Sequence, residues 1–317
     1  MIRFQYLLYL LFAASILFGC RKDTIQYQSD LCTNTDWTYD VFAISPLTGN
    51  EHPYNPMYSI PPVTTAYLFD SLGVPALKIG GVNYYHPVHM SQYAFKLLDW
   101  FSVSNDSSYF ENAQRVLARL KGTSVSKDSC VLFPNQYDFR VHRSPNELME
   151  AGWVSAMSQG QALSLFCWMY EHTNDPNLLT WADKIYNSYY RIKGNGTEDW
   201  VSCIDENGNI WMEEYPSDIP CFTLNGKIFA LIGLYDYYML TGDQEAKKML
   251  MAGITTIKAN VNRFRRVDQA SLYCIKHNKS YDGYHQTHIN LLRTLNKITG
   301  DAFFEDVAVT FEQDFQQ

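Results

Sequence analysis

The chain is poor in charge. Only 18% of its 317 residues are Asp, Glu, Lys or Arg, and the formal balance is −8 at neutral pH. A net acidic chain has no overall field to draw nucleic acid, which excludes that class of partner. A polyanionic substrate would have to be met by local basic groups. Metal-type cysteine spacing is also missing: there is no Cys-x-x-Cys pair and no zinc pattern, so the expectation is no metal and no cofactor. Beyond the first twenty residues, no stretch is apolar over the ~20 residues that a bilayer crossing needs.

What is present begins with an address. Arg3 opens a run, Tyr6 to Phe18, that is apolar and uncharged, and Leu17-Phe18-Gly19-Cys20 closes it. The run is too short to span a membrane and reads as a secretory signal peptide. Its Leu-x-Gly-Cys ending resembles the bacterial lipobox, in which the cysteine carries the lipid. The expectation is therefore a signal peptide over 1–19, lipidation at Cys20, and a membrane-anchored lipoprotein in the periplasm or at the cell surface. Residues 20–59 are polar, without helical periodicity, and read as a tether and irregular arm. Of the remaining cysteines, Cys203 and Cys221 flank one loop and are either a disulfide pair or buried free thiols.

Aromatic residues make up 15% of the chain, with 23 Tyr and 7 Trp, a composition that suits sugar rings and ordinary cores alike. The architecture comes from a repeat. Four turn signals recur, Ser104-Asn105-Asp106, Thr173-Asn174-Asp175, Thr241-Gly242-Asp243 and Thr299-Gly300-Asp301, each between amphipathic stretches. A helix stop followed by a capping Asp predicts an antiparallel helical hairpin at each. One hairpin cannot bury its own apolar face, so repetition predicts a curved or closed array. The expected fold is mainly α, an α/α toroid of about four hairpins over 60–317. Short β-hairpins are expected within Ser124 to Gly152 and Gly194 to Pro220, where Gly, Asn, Asp and aromatics concentrate.

Three clusters carry specific chemistry. They are Gly152-Trp153-Val154-Ser155-Ala156-Met157-Ser158-Gln159-Gly160-Gln161; Glu213-Glu214-Tyr215-Pro216 with Leu224-Asn225-Gly226; and Ser271-Leu272-Tyr273-Cys274-Ile275-Lys276-His277 with Tyr284-His285-Gln286-Thr287-His288. In kind, order and spacing these resemble the C-terminal catalytic domain of the D-glucuronyl C5-epimerases, from about Trp153 onward. A weaker echo lies at His86-Pro87-Val88-His89-Met90-Ser91-Gln92-Tyr93. The resemblance implies inversion of C5 of glucuronic acid in heparosan-like or other uronate-containing polysaccharides, with Tyr215, Tyr273 and Tyr284 as catalytic residues. Glu214, Asn225, Lys276, His277, His285, Gln159 and Gln161 are the expected substrate contacts. Where the animal enzymes resemble Tyr-Asp-Leu-Arg-His, this chain has Tyr273-Cys274-Ile275-Lys276-His277, and Lys276 lacks the bidentate fork of an Arg. The β-rich module that the animal enzymes carry before the Trp153 segment is absent or reduced here.

The chemistry fits the residue types. Removing a proton beside a carboxylate builds a second negative charge, so the site must neutralise it and exchange protons on both faces. A phenol of reference pKa about 10 returns a proton readily and takes one when its surroundings assist. The same abstraction with loss of the C4 substituent is a polysaccharide lyase, and the scaffold without activity is a glycan-binding lipoprotein. Structural readings stand beside these. Gln159-Gly160-Gln161 suits close helix packing as well as sugar contact. His285 with His288, and His86 with His89, have metal-compatible spacing but no acidic ligand at a matching offset.

Overall fold

The computed structural model describes Cys32 and residues 34–54, 68–196 and 198–316. The signal peptide of 1–19 and the lipidation site Cys20 lie outside the described residues. Among the described residues no helix is long and apolar enough to cross a membrane.

Four helical hairpins follow one another in chain order. They are α1 (Pro87–Ser104) with α2 (Ser107–Gly122), α3 (Ala156–Thr173) with α4 (Pro176–Tyr186), α5 (Leu224–Thr241) with α6 (Gln244–Asn260), and α7 (Asp282–Thr299) with α8 (Ala302–Asp314). Each predicted turn is where it was expected. Asn105, Asn174, Gly242 and Gly300 adopt the left-handed conformation and close the first helix by bonding back to a carbonyl one turn earlier. The next residue, Asp106, Asp175, Asp243 or Asp301, then accepts a backbone N–H of the second helix. Pro87 and Pro176 stand in the first turn, where no donor is lost.

The first helices form the inner layer: α1 packs on α3, α3 on α5, and α5 on α7. α3 is buried on all faces from Ala156 to Cys167, and α5 from Leu224 to Ile228 and from Ala230 to Tyr237. α2 and α4 bury only one stripe each and face outward. Gly160 permits the α3–α5 crossing. A Cβ there would stand 2.5 Å from Ala230 Cα and 2.8 Å from the Phe229 carbonyl oxygen, and Gly233 faces Gly160 from the other side. Gly160 of the Gln159-Gly160-Gln161 segment thus serves helix packing.

The two segments expected to hold β-hairpins do so. β4 (Val125–Lys127) pairs with β5 (Cys130–Leu132), β6 (Pro134–Asn135) with β9 (Trp153–Val154), and β7 (Phe139–Arg140) with β8 (Leu148–Met149). Further on, β10 (Ser202–Ile204) pairs with β11 (Ile210–Met212), setting Cys203 opposite Trp211. Two sheets were not anticipated: β1–β2–β3 (Leu68–Phe69, Pro75–Ile79, Val82–Tyr84) and β12–β13 (Leu272–Cys274, Lys279–Ser280). Strands of two to five residues are too short to display a period of two in sequence.

The irregular arm is more than a tether. Asp40 N–H donates to Thr255 Oγ1 at 2.8 Å, Ser45 N–H to the Ile298 carbonyl at 2.8 Å, and Leu47 N–H to Tyr235 Oη at 2.6 Å. Phe42 is buried in the same apolar core that extends to Phe311. The arm therefore crosses α5, α6 and α7 as part of the packed body. Its start is joined by a Cys32–Cys203 disulfide, with Cα atoms 5.4 Å apart. This corrects the Cys203–Cys221 alternative, and Cys221 is a buried free thiol.

Candidate active site

The chain leaving β11 alternates sides, as extended backbone does. Glu213 turns toward its own loop and accepts the N–H groups of Cys221 at 2.9 Å and Phe222 at 3.2 Å. Burial pushes its carboxyl up to about 7, against those donors and the nearby Lys227. Glu214 turns the other way, toward the tyrosines. Room for it depends on Gly226 in α5, where a Cβ would stand 2.5 Å from Glu214 Cβ. That close approach explains the glycine of the Leu224-Asn225-Gly226 motif.

β12 delivers the second tyrosine. Tyr273, only 3% exposed, donates its hydroxyl to Glu214 Oε1 at 2.6 Å, and its oxygen is 3.2 Å from Tyr215 Oη. Tyr284, in the first turn of α7, sets its ring edge-on to Tyr273 with centroids 4.7 Å apart. It is 42% exposed, so it stands at the rim while the other two stand within. The three tyrosines and Glu214, drawn from three separate segments, form one cluster. Tyr215 is further stacked on Phe139 at 5.4 Å.

The electrostatics follow from burial. The Tyr215 and Tyr273 phenols are pushed well above their usual range by burial and then by the charge of Glu214. Glu214 is itself raised by burial, while hydrogen bonds led by that from Tyr273 oppose the rise. At neutral pH both buried phenols therefore keep their protons. A hydroxyl chain runs Tyr215–Tyr273–Glu214, and its carboxyl end is the natural proton acceptor.

A cavity of about 300 Å³ opens beside this cluster. Glu214, Tyr215 and Tyr284 line it, with the aromatic faces of Tyr137, Phe139 and Trp153. α1 closes the other side with His86, His89 and Gln92. The His86 and His89 rings stack at 4.5 Å, and His86 is pulled down to about 3, by burial and then by His89. Its Nδ1 accepts the Val88 N–H at 3.2 Å, so Nε2 carries the proton. Among the described residues neither Lys nor Arg appears in this lining, and it offers neutral donors to a ligand.

The structure relocates the other expected contacts. Gln159 is fully used by the fold: Oε1 accepts the Phe133 N–H at 2.8 Å, and Nε2 donates to the Val131 carbonyl and Ser188 Oγ, both at 2.9 Å. His285 is a core residue, its Nδ1 accepting the Ser271 N–H at 2.9 Å and its Nε2 lying 2.9 Å from the Phe311 carbonyl oxygen. Both side chains are engaged by the scaffold. Asn225 and Gln161 are completely buried and line no part of the cavity. Lys276 and His277 reach Glu147 Oε2 at 3.0 and 2.9 Å, behind the tyrosines and not in the cavity. The sequence reading did not single out Tyr137, Phe139, His142 or Tyr281. His142 sets its ring edge-on to both Tyr215, at 5.7 Å, and Tyr273, at 5.5 Å, and its Nδ1 lies 3.2 Å from Tyr281 Oη. Aromatic density around Tyr137 and the Tyr281–Tyr284 spacing were the only signals for these residues.

A family model described as the D-glucuronyl C5-epimerase C-terminus matches residues 127–313. The D-glucuronyl C5-epimerase of Caenorhabditis elegans is 29% identical over 180 residues, covering 51% of this chain and 28% of that protein. An uncharacterized protein of Methanocaldococcus jannaschii is 27% identical over 158 residues, covering 49% of this chain and 50% of its own length. The chain thus spans half or less of these relatives. Among solved structures, cellobiose 2-epimerase from Bacillus thermoamylovorans has a TM-score of 0.52 at 13% identity, over 78% of this chain and 65% of that one. That likeness is one of fold: a mainly α, helix-rich architecture resembling an α/α toroid. With the match covering most of the chain and all three tyrosines, the chain belongs to the D-glucuronyl C5-epimerase C-terminal family.

Proposed function

We propose that this protein is a uronyl C5-epimerase acting on glucuronic acid in a heparosan-like or other uronate-containing polysaccharide. One observation carries the reading beyond family membership: the hydroxyl chain from Tyr215 through Tyr273 to Glu214, with Tyr284 facing it at the rim. A buried neutral phenol is a poor base by itself. It becomes one when its own proton leaves as the substrate proton arrives. Tyr215 takes the C5 proton, passes its hydroxyl proton to Tyr273, and Tyr273 passes one to Glu214. Tyr284 donates from the opposite face and regains its proton from solvent, which its exposure allows, and Glu214 releases the relayed proton through the cavity it lines, which resets the site.

The uronate carboxylate is held by neutral donors at the start of α1, His86 and Gln92 among them, which oppose the enediolate charge. Phe139 and Trp153 supply flat faces for the sugar ring. A polysaccharide lyase would share the first abstraction, and a glycan-binding lipoprotein would share the cavity. The signal peptide and the Cys20 lipid anchor, in the periplasm or at the cell surface, remain part of the proposal.

Incubation with heparosan, chondroitin or alginate in heavy water tests it. Deuterium at C5 of an intact chain is the expected result. New ultraviolet-absorbing unsaturated ends would replace the reading with a lyase. Binding without either signal on any of the three polymers would end the catalytic assignment.

A further inference from the structure

Behind the tyrosine cluster lies a second group of side chains that the proposed reaction does not use. Cys221, Cys274, His277 and His142 converge there from the loop before α5, from β12, from the turn after it, and from the β7–β8 connection. Cys274 Sγ is 3.1 Å from His277 Nδ1. Cys274 Sγ also donates to the Cys221 carbonyl oxygen at 3.1 Å, and Cys221 Sγ lies 3.6 Å from Ser217 Oγ. Ligand atoms of His142, Cys274 and His277 all lie within 4.8 Å of one another, as do those of Glu147, Cys221 and His277.

We propose that Cys221, Cys274, His277 and His142 form a binding site for a soft tetrahedral divalent cation of the zinc class, beneath the tyrosine cluster.

Three features distinguish this group from chance proximity. First, the ligand set is two thiols and two imidazoles, the donors such a cation prefers. Bonds of about 2.3 Å to sulfur and about 2.0 Å to nitrogen set tetrahedral ligand atoms roughly 3.5 Å apart, and the atoms of each of the two triads here, which share His277, lie within 4.8 Å. Second, the His277 imidazole already turns a bare nitrogen to Cys274. Glu147 Oε2 is 2.9 Å from His277 Nε2 and holds the proton there, which leaves Nδ1 bare toward Cys274. Carboxylates orient metal-binding histidines in this way. Third, His142 Nε2 is buried and has no hydrogen-bond partner, while its Nδ1 is placed by Tyr281. A buried nitrogen without a partner is costly unless something binds it.

The charges close. Each thiol releases one proton to solvent as it binds, and two thiolates neutralise the dication without redox change. The filled site is neutral and sits comfortably beside Lys276 and Glu147, already paired at 3.0 Å. Its consequence is positional: the cation would tie β12, which carries Tyr273, to the loop after Tyr215 and to the His142 ring that abuts both tyrosines.

Cobalt(II) titration of the reduced full chain, purified without chelator, is the test. Thiolate-to-cobalt charge transfer and strong tetrahedral d–d bands should saturate at about one equivalent, and zinc should erase them. Cys274→Ser should abolish the charge-transfer band. Glu147→Gln should weaken binding about 10–100-fold while keeping the spectrum. Cys130→Ser, a buried thiol elsewhere, should change nothing. The wild-type titration needs no variant to fold. Absence of the cobalt spectrum, its survival in Cys274→Ser, or peptide mapping that finds Cys221 joined to Cys274 in the isolated protein would each overturn the site.

Discussion

Tyr273→Phe removes one oxygen from the centre of the hydroxyl chain and leaves the ring packing intact. In the wild type that oxygen donates to Glu214 at 2.6 Å and meets Tyr215 at 3.2 Å, so its loss removes the link through which Tyr215 is proposed to pass its proton to Glu214. Relay by a positioned acid–base group contributes about 10²–10⁴ in rate, or roughly 3–5 kcal/mol of barrier. Exchange of C5 hydrogen for deuterium in heavy water should fall by that factor. The fold loses one hydrogen bond to a buried carboxyl, a cost of about 1.5–3 kcal/mol. A second readout separates relay from mere packing. The Tyr273 hydrogen bond opposes the burial that raises Glu214, so removing it lets the carboxyl rise further. The acid limb of the exchange rate, which reports Glu214 losing its charge, should therefore move to higher pH. Exchange within about threefold of wild type, with an unmoved acid limb, would refute both the relay and Glu214 as its end.

Two further outcomes follow from the same structure. Gly160→Ala places a Cβ against the α5 backbone, where neither helix can yield locally, and should cost about 1–3 kcal/mol and lower the melting temperature by roughly 3–10 °C. Gly283→Ala in open space at the start of α7 should leave melting unchanged or raised, and equal effects in the pair would discredit the crossing argument. His288 is pulled down to about 3, chiefly by burial, from a reference of 6.5. The unfolded chain therefore binds the extra proton first, and stability should fall as pH drops from about 6.5 toward 3. Melting scans of His288→Asn across that window should show a shallower acid slope than wild type, and an unchanged slope would exclude His288 as a cause.

The four hairpins could be read from the chain because each is a local event. A left-handed Asn or Gly followed by a capping Asp needs only neighbouring residues, and all four turns behave as their composition requires. Tyr215, Tyr273 and Tyr284 were also legible, but only as motifs 58 and 11 residues apart that resemble a family. Nothing along the chain states that Tyr273 reaches Glu214 or that Tyr284 stands at a rim. Gln159 and His285 mark the limit most clearly. Both lie inside the right motifs, yet one holds β5 and its following loop to α3 and the other is closed against α8. Whether a polar side chain in a motif meets ligand or backbone depends on which segment arrives opposite it.

Local order, then, came from sequence: helix limits, turn chemistry, and the residue types that suit C5 proton transfer. The tertiary structure decided the rest. It joined Cys32 to Cys203, set His86 and His89 of α1 against Tyr215 and Tyr284, and gathered His142, Cys221, Cys274 and His277 behind them. The physical reason is the range of the forces. Caps and periodicity act over a few residues, whereas burial, which sets the protonation of Glu214 and its tyrosines, exists only after distant segments have closed over them.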